Sequence, residues 1–225
     1  MIRFFDVVIS GMALIFLSPL LVPIMLLLKF SGEGEVFFLQ ERVGKNREMF
    51  RLYKFATMLK DSPSMGTGTV TMKNDSRVLP AGKFLRKTKL NELPQLLNIF
   101  FGHMSLIGPR PQARRCFDAF PAEAQEVIVQ MKPGLSGIGS IVFRGEEDIL
   151  EGHTGTLDFY DNVIGPYKGK VEAWYASKQK LTMYFTLIFL TAWVVFSPKS
   201  DLAWRFLKDL PIPPDNLKIG LNFPL

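Results

Sequence analysis

The residues best suited to chemistry lie between Arg86 and Pro111, in the run RKTKLNELPQLLNIFFGHMSLIGPRP. Asn91 and Glu92 stand together, approached by Arg86, Lys87 and Lys89 and followed at a distance by Arg110. Leu93, Leu96, Leu97, Phe100 and Phe101 recur at helical spacing, which predicts one apolar face of an α-helix. Asn91 is a suitable N-cap for it, Pro94 is tolerated in its first turn and Gly102 is a suitable C′ residue. Asn91 and Glu92 are therefore expected at a helix N-terminus, where free N–H groups and the macrodipole favour anions. The basic side chains on either side deepen that positive field, so the stretch reads as a phosphate-handling site. A capped core helix with a solvated basic flank has the same spacing, and spacing alone leaves both open.

Two further stretches carry reactive or ligating residue types. Lys132 to Ser140 sets Gly134, Gly137 and Gly139 among two serines and a lysine. Such a loop could bring backbone N–H groups to a diphosphate. It matches neither GxGxxG nor the Walker pattern, and a turn-rich connector has the same composition. Glu146, Glu147, Asp148 and Glu151 read as a solvated loop or helix start, with metal binding the lesser alternative. Cys116 is the single cysteine, so no internal disulfide can form. His103 and His153 lie too far apart in sequence to suggest a zinc site. A net charge of +6, from 27 Lys+Arg against 21 Asp+Glu, suits an anionic partner. No nucleic-acid-binding motif accompanies that charge, so the anions expected are phosphate ligands and lipids rather than nucleic acid.

These residues need elements to position them. Val7 to Leu28 carries no charge and is long enough to span a bilayer core. Ser18-Pro19 falls at its centre with Pro23 beyond, so a kink is expected, and the Ser18 hydroxyl is placed to satisfy a carbonyl that the proline frees. Arg3 precedes the segment and nearly all the other basic residues follow it, which puts the main domain in the cytoplasm. A plain kinked single-pass anchor and a broken helix that enters and leaves by one face both fit. Glu35 to Met58 reads as a β-hairpin turning at Gly44-Lys45-Asn46. Its Arg42, Lys45, Arg47, Arg51 and Lys54 read mostly as a solvated strand face near anionic headgroups. Asp61 to Asp75, rich in Ser, Gly and Thr, reads as a mobile lid or linker. Pro121 to Met131 and Val171 to Lys180 have helical character. Met183 to Phe196 is uncharged but short for a span, and Leu202, Ala203, Phe206, Leu207 and Leu210 form an apolar stripe. With Trp193 and Trp204 these predict helices lying in or on a membrane surface, followed by an extended tail from Pro211.

In this order the motifs resemble the bacterial sugar transferases, monotopic polyprenyl-phosphate phosphoglycosyl transferases of the small-catalytic-domain kind. The resemblance runs through Arg3-x-x-Asp6, Ser18-Pro19, Gln40-x-Arg42-x-Gly44, Tyr53-Lys54-Phe55-x-Thr57-Met58, Asp75-x-Arg77-x-Leu79 and Gly82-Lys83-Phe84-Leu85-Arg86-Lys87. It continues in Glu92-Leu93-Pro94-Gln95-Leu96, Gly102-x-Met104-Ser105, Gly108-Pro109-Arg110-Pro111 and Lys132-Pro133-Gly134. It implies an α+β fold: a re-entrant helix-break-helix at 1–30 broken at Ser18-Pro19, a small cytosolic catalytic domain at 31–182 with a short β-hairpin and several helices, and interfacial amphipathic helices and a tail at 183–225. It implies transfer of a phospho-sugar from a UDP-sugar to undecaprenyl phosphate with release of UMP, on the cytoplasmic face of the bacterial inner membrane. It also implies Mg²⁺ and a covalent intermediate on an Asp of an adjacent Asp-Glu pair. Carried over by position, Glu92 matches the second carboxylate and metal contact. Lys54, Arg86, Arg110 and Arg144 match phosphate-binding cations. Membrane lipid is a further expected partner, and a homodimer is one option.

Three positions depart from the family pattern. Asn91 stands where the nucleophilic Asp is expected, Ala56 where an Arg is usual and Ser140 where a Gln is common. An amide is a very poor nucleophile, so three accounts of Asn91 follow: an engineered trap, a natural variant that uses Glu92 or direct attack by the lipid phosphate, or a chain that binds or organises without catalysis.

Overall fold

The computed structural model describes residues 1–65, 75–151 and 155–224. Most of the expected lid or linker at 61–75, and His153, lie outside the described residues. The described chain is α+β, as expected. A long helix α1 (Ile2–Lys29) leads into a hairpin of β1 (Phe37–Val43) and β2 (Met49–Phe55). Next come α2 (Pro80–Lys87), α3 (Gln95–Phe101), β3 (Ser105–Ile107), α4 (Arg114–Asp118), α5 (Ala122–Ile128), β4 (Gly134–Ser136) and α6 (Ile138–Val142). Then follow α7 (Glu146–Glu151), α8 (Thr156–Phe159), α9 (Gly165–Ser177), α10 (Leu181–Phe196), α11 (Leu202–Phe206) and α12 (Asp215–Lys218).

α1 is one uninterrupted helix with Pro19 and Pro23 inside it. Proline at 19 has no N–H to give to the Ile15 carbonyl four residues back. The Ser18 hydroxyl donates to that carbonyl instead, at 2.8 Å. The lost backbone bond is thus replaced locally, and the expected break takes this form rather than a gap between two helices.

One face of α1 packs on the domain from end to end. Arg3 donates to the carbonyls of Ile99 and Phe100 at the C-terminus of α3, where a cation is favoured. Ala13, Leu14 and Leu17 lie on a cluster of Leu52, Leu96, Ile99 and Met104, and Ile24 and Leu28 pack with Phe55 and Leu85. The opposite face exposes Phe4, Met12, Ile15, Phe16, Val22, Leu26 and Leu27. Both ends of the helix are therefore fixed to the same domain, although α1 is about 42 Å long at 1.5 Å per residue.

Asp6 is the main polar anchor. Its buried Oδ1 accepts the Ser105 hydroxyl at 3.0 Å, the Leu106 N–H at 2.9 Å and the Tyr184 hydroxyl at 2.9 Å. Asp6→Ala strands three donors and is expected to cost about 2–4 kcal/mol. Asp6→Asn keeps an acceptor and should lose less. Thermal unfolding of the full chain in nanodiscs measures both; an alanine variant as stable as the asparagine one would show that the anchor contributes nothing.

The hairpin forms as its alternation predicts, with Phe37 opposite Phe55 and Val43 opposite Met49. Its turn uses Asn46 at φ 56° and Arg47 at φ 63°, one residue further than the predicted turn reaches. The free edge of β2 is closed by a side chain. Fully buried Asn98 accepts the Tyr53 N–H at 2.9 Å and donates to the Arg51 carbonyl at 2.8 Å. A second, parallel pair joins β3 and β4, with Ser105 opposite Gly134 and Ile107 opposite Ser136.

The largest core cluster runs from Ile107 through Ile138, Ile164 and Val171 to Leu187, Leu190, Leu217 and Leu221. The segment after residue 182 therefore shares the core of the domain before it. α10 buries Tyr184, Leu187, Leu190 and Val194 and exposes Phe185, Phe189, Trp193, Val195 and Phe196. Phe185 meets Phe5 of α1 at 5.2 Å between ring centroids, and Phe189 meets Phe206 at 6.2 Å, so the exposed apolar faces of α1, α10 and α11 adjoin. The expected interfacial stripe splits. Trp204 is buried and donates to the Leu221 carbonyl, while Phe206 is exposed. The tail is not simply extended either: it folds back through α12 to bury Leu217 and Leu221, because those side chains complete the core.

Candidate anion-binding site

The central stretch folds differently in detail from its spacing. Asn91 and Glu92 sit in a 3-10 turn, Leu90–Glu92, entered through Lys89 at φ 60°, and α3 begins only at Gln95. Pro94 takes the N-cap position and Asn91 caps nothing. The buried face of α3 is Gln95, Leu96, Asn98 and Ile99, whereas Phe100 and Phe101 are exposed. Asn98 wins its buried position by bonding the β2 edge. Gly102 ends the helix at φ 92°, as its type predicts.

Glu92 is the centre of the site. Its Oε1 lies 3.2 Å from Arg110 Nη2 and 3.6 Å from Lys54 Nζ. The Glu92 and Lys54 side chains are only 16% and 18% exposed. Burial would push the Glu92 carboxyl up, but Arg110, Lys54 and Lys89 outweigh it and hold it well below the usual carboxylate range. Burial lowers Lys54 to about 8, opposed by Glu92 and reinforced by Arg42, Arg110 and Arg86. Arg42 is lowered to about 10, by burial and then by Arg110. Arg110 is raised, first by Glu92. Several cations are thus gathered around one carboxylate with little water to screen them, which leaves an excess of positive charge at the site.

The structure brings together most of the predicted residues. Lys54, Glu92 and Arg110 form the ion-paired core. Arg86, in the last turn of α2, donates to Met58 Sδ at 3.7 Å and lends its charge to the Lys54 environment. Arg144 lies half-buried just past α6 and joins none of the ion pairs of this cluster. Asn91 is 5% exposed, and its Oδ1 is buried without a hydrogen-bond partner. By strand pattern Arg42 belongs to a solvated face; the structure instead buries it within reach of the Arg110 and Glu92 charges. Its place in Gln40-x-Arg42-x-Gly44 was the only sequence signal for that. Ser18 and Pro19 lie away from the cluster, in α1. The C-terminal end of that helix is nearer: Ile24 and Leu28 pack on Phe55 and Leu85, with Leu90 beside them. Lys54, Arg86 and Asn91 are the chain neighbours of those three residues.

The glycines of the 134–139 loop serve close backbone packing. A Cβ at Gly134 would lie 2.1 Å from the Gly108 nitrogen, and one at Gly137 would lie 2.1 Å from the Gly108 oxygen. At Gly139 it would lie 2.1 Å from Glu172 Oε1. The glycines let this loop close against the segment that carries Arg110. The acidic cluster opens α7: Glu147, Asp148 and Glu151 are exposed, while Glu146 pairs with buried Lys168. Among the described residues no group of three or more His, Cys, Asp or Glu is placed to hold a metal ion.

Glu172, on α9, is fully buried and was not anticipated. Its Oε1 accepts the Arg110 N–H at 3.0 Å. Burial raises its carboxyl to about 7, opposed by the Arg110 and Gly139 N–H groups, by Lys168 and by the Arg110 charge. A carboxyl raised in the folded state binds a proton more tightly there than when unfolded. Its favourable contribution is complete below about pH 4.5 and is lost as pH rises through about 7. Unfolding measured from pH 5 to 8 should show that loss in the native chain and a flatter profile in Glu172→Gln. Parallel profiles would assign the loss to other groups.

Cations thus gather around one buried carboxylate, next to residues that pack on the long apolar helix α1. The bacterial sugar transferase family model matches residues 1–198, and the chain belongs to that family. It is 39% identical over 142 residues to the UDP-N-acetylgalactosamine-undecaprenyl-phosphate N-acetylgalactosaminephosphotransferase of Aeromonas hydrophila, covering 62% of this chain and 33% of that protein. It is 44% identical over 152 residues to the exopolysaccharide production protein PSS of Rhizobium leguminosarum bv. phaseoli, covering 65% of this chain and 76% of that one. It is 30% identical over 207 residues to the undecaprenyl-phosphate galactose phosphotransferase of Salmonella typhimurium, covering 86% of this chain and 40% of that one. The chain thus spans about a third of the length of the first of these relatives.

Proposed function

We propose that this chain transfers a sugar 1-phosphate from a UDP-sugar to undecaprenyl phosphate, with release of UMP, at the cytoplasmic face of a bacterial inner membrane. The observation that carries this reading is the cluster of Arg42, Lys54 and Arg110 around Glu92, set beside the apolar helix α1. Family membership and the substrates named for its relatives supply the donor and acceptor. In the reaction an oxygen of the lipid phosphate bonds to the β-phosphorus of the UDP-sugar, and the bond from that phosphorus to the bridging oxygen breaks. UMP leaves with the bonding pair. Two anions must approach, and Lys54, Arg42 and Arg110 lower that repulsion by taking the phosphate oxygens. Glu92 keeps these cations apart and oriented while the site is free.

Asn91 provides no nucleophile, because a carboxamide is neutral and holds its lone pair in resonance. Glu92 is a weak one, since the same cations that depress its pKa also tie up its electrons. The residues present therefore favour direct attack by the lipid phosphate over a covalent enzyme intermediate. Mg²⁺ is the proposed cofactor. The Glu92 carboxylate and the unpartnered Asn91 Oδ1 offer two hard oxygens in one turn. That suits an ion held by one or two protein oxygens plus substrate phosphates rather than by a protein cage. When bound, it would neutralise charge building on the phosphate oxygens.

The membrane arrangement in this reading is monotopic. The exposed face of α1 lies in one leaflet, with residues 2 and 30 both on the cytoplasmic side. Fixation of both helix ends to one domain supports it. Cysteine labelling at residues 2 and 30 tests it, and periplasmic labelling of residue 2 would overturn it. A second reading, a nucleotide-sugar binder without turnover, draws on Asn91. A screen of UDP-sugars for Mg²⁺-dependent UMP release, with undecaprenyl phosphate present, separates the two. Release supports the transferase, whereas UDP-sugar binding without release from this chain or from Asn91→Asp would favour the binder.

A further inference from the structure

Arg110 is held in a segment with almost no backbone freedom. Pro109 and Pro111 flank it, so φ is fixed on both sides and Arg110 itself, preceding a proline, is confined to extended conformations. Neither proline has an N–H, which makes the Arg110 N–H the single backbone donor of the tripeptide. Glu172 Oε1 accepts it at 3.0 Å, across 62 residues of sequence. On the other side the Pro109 carbonyl accepts the Gly134 N–H at 2.8 Å. The segment is clamped between β4 and α9.

Glu172 is an expensive residue to use for this. It is fully buried, and its Oε2 has no hydrogen-bond partner. Removing a carboxyl group from water costs free energy that an apolar side chain would avoid. The surroundings are built to fit it, since a Cβ at Gly139 would strike its Oε1 at 2.1 Å. Gly139 thus preserves the approach of the carboxyl to the Arg110 segment. The Arg110 guanidinium then reaches Glu92, 3.2 Å away, in the anion site.

We propose that Glu172 is a positioning residue: by holding the Arg110 N–H from behind, it sets where the Arg110 guanidinium meets the phosphates of the donor. This rests on the anion-binding reading of the Glu92 cluster, and it goes beyond it by assigning a function to a residue that touches no ligand. The geometry predicts that Glu172 acts through Arg110 and not through general stability. Glutamine keeps an oxygen in place of Oε1 and should keep most of the effect; alanine should not.

The test is a double-mutant cycle read by UDP binding to the full chain in nanodiscs, with thermal unfolding as a control. Arg110→Ala should weaken UDP by about 30-fold or more, as loss of a charge-assisted phosphate contact. Glu172→Ala should weaken it about tenfold and Glu172→Gln by no more than about twofold, while adding Glu172→Ala to Arg110→Ala should cost no further affinity beyond about twofold. If Glu172→Ala does not fold, Gly139→Ala takes its place in the cycle, because its methyl group displaces the same carboxyl. Equal losses from the Glu172 or Gly139 change in both backgrounds would overturn the inference and leave a structural role. Native affinity in Glu172→Ala would overturn it as well. An Arg110→Ala variant that binds UDP as the native chain does would instead remove the anion-binding reading on which it rests.

Discussion

Glu92→Gln is expected to lower UMP release by about 10²–10³-fold, the scale for removing a preorganised electrostatic group from a reacting centre. The substitution keeps the shape of the side chain and removes its charge. In the native chain that charge faces Arg110 at 3.2 Å and Lys54 at 3.6 Å and is held ionised far into the acid range. The same variant makes an opposite prediction for binding. Without Mg²⁺, the Glu92 carboxylate competes with a diphosphate for Arg110 and Lys54. Glu92→Gln should therefore bind UDP more tightly than the native chain in the presence of a chelator, and Mg²⁺ should no longer strengthen that binding. Turnover and titration calorimetry read the two effects separately. A variant that retains turnover would remove Glu92 from the centre of the site. A variant that loses turnover and also loses metal-free UDP binding would make Glu92 a structural residue.

The second large effect is a gain. Asn91→Asp is expected to raise UMP release by about 10²-fold or more, because a carboxylate can displace UMP and then pass the phospho-sugar to the lipid phosphate. Two easier displacements would replace one encounter between anions. The added charge enters the turn that carries Glu92, where Arg110, Lys54 and Lys89 already favour a carboxylate, so the fold should accept it in spite of its burial. Intact-mass analysis after incubation with the UDP-sugar should then show a phospho-sugar adduct on the variant and none on the native chain. An adduct on the native chain that disappears in Glu92→Gln would reverse the assignment and make Glu92 the nucleophile. No gain in rate would mean that position 91 does not face the β-phosphorus.

Several parts of this protein were legible in the sequence because they depend on neighbours along the chain. The uncharged run from Val7 to Leu28 forms a helix with an exposed apolar face, and Ser18 repairs the carbonyl that Pro19 leaves. The alternation around Gly44 gives the hairpin, and Gly102 ends α3 with the positive φ that glycine permits. Charged types near Glu92 mark the place where an ion-paired cluster forms, and the order of the motifs marks the family.

Other parts follow only from packing. Spacing marked Phe100 and Phe101 for the core, but the amide of Asn98 closes the β2 edge and turns those rings outward. Arg42 looked like one cation among many on a solvated strand, and only the approach of the Pro109–Pro111 segment makes it part of a site. The glycines of 134–139 fit either a phosphate loop or a turn-rich connector by pattern, and only packing shows that their missing side chains admit Gly108 and Glu172. Glu172 itself is one acidic residue on a helix, the commonest kind of solvated position. Sequence by itself determined the types of charge, the apolar helix, the local turns and the membership in the family, since each is set by composition or by residues a few positions apart. Tertiary structure decided which charges lose their water and which meet. That depends on contacts between segments tens of residues apart, where burial and close approach turn ordinary side chains into a site.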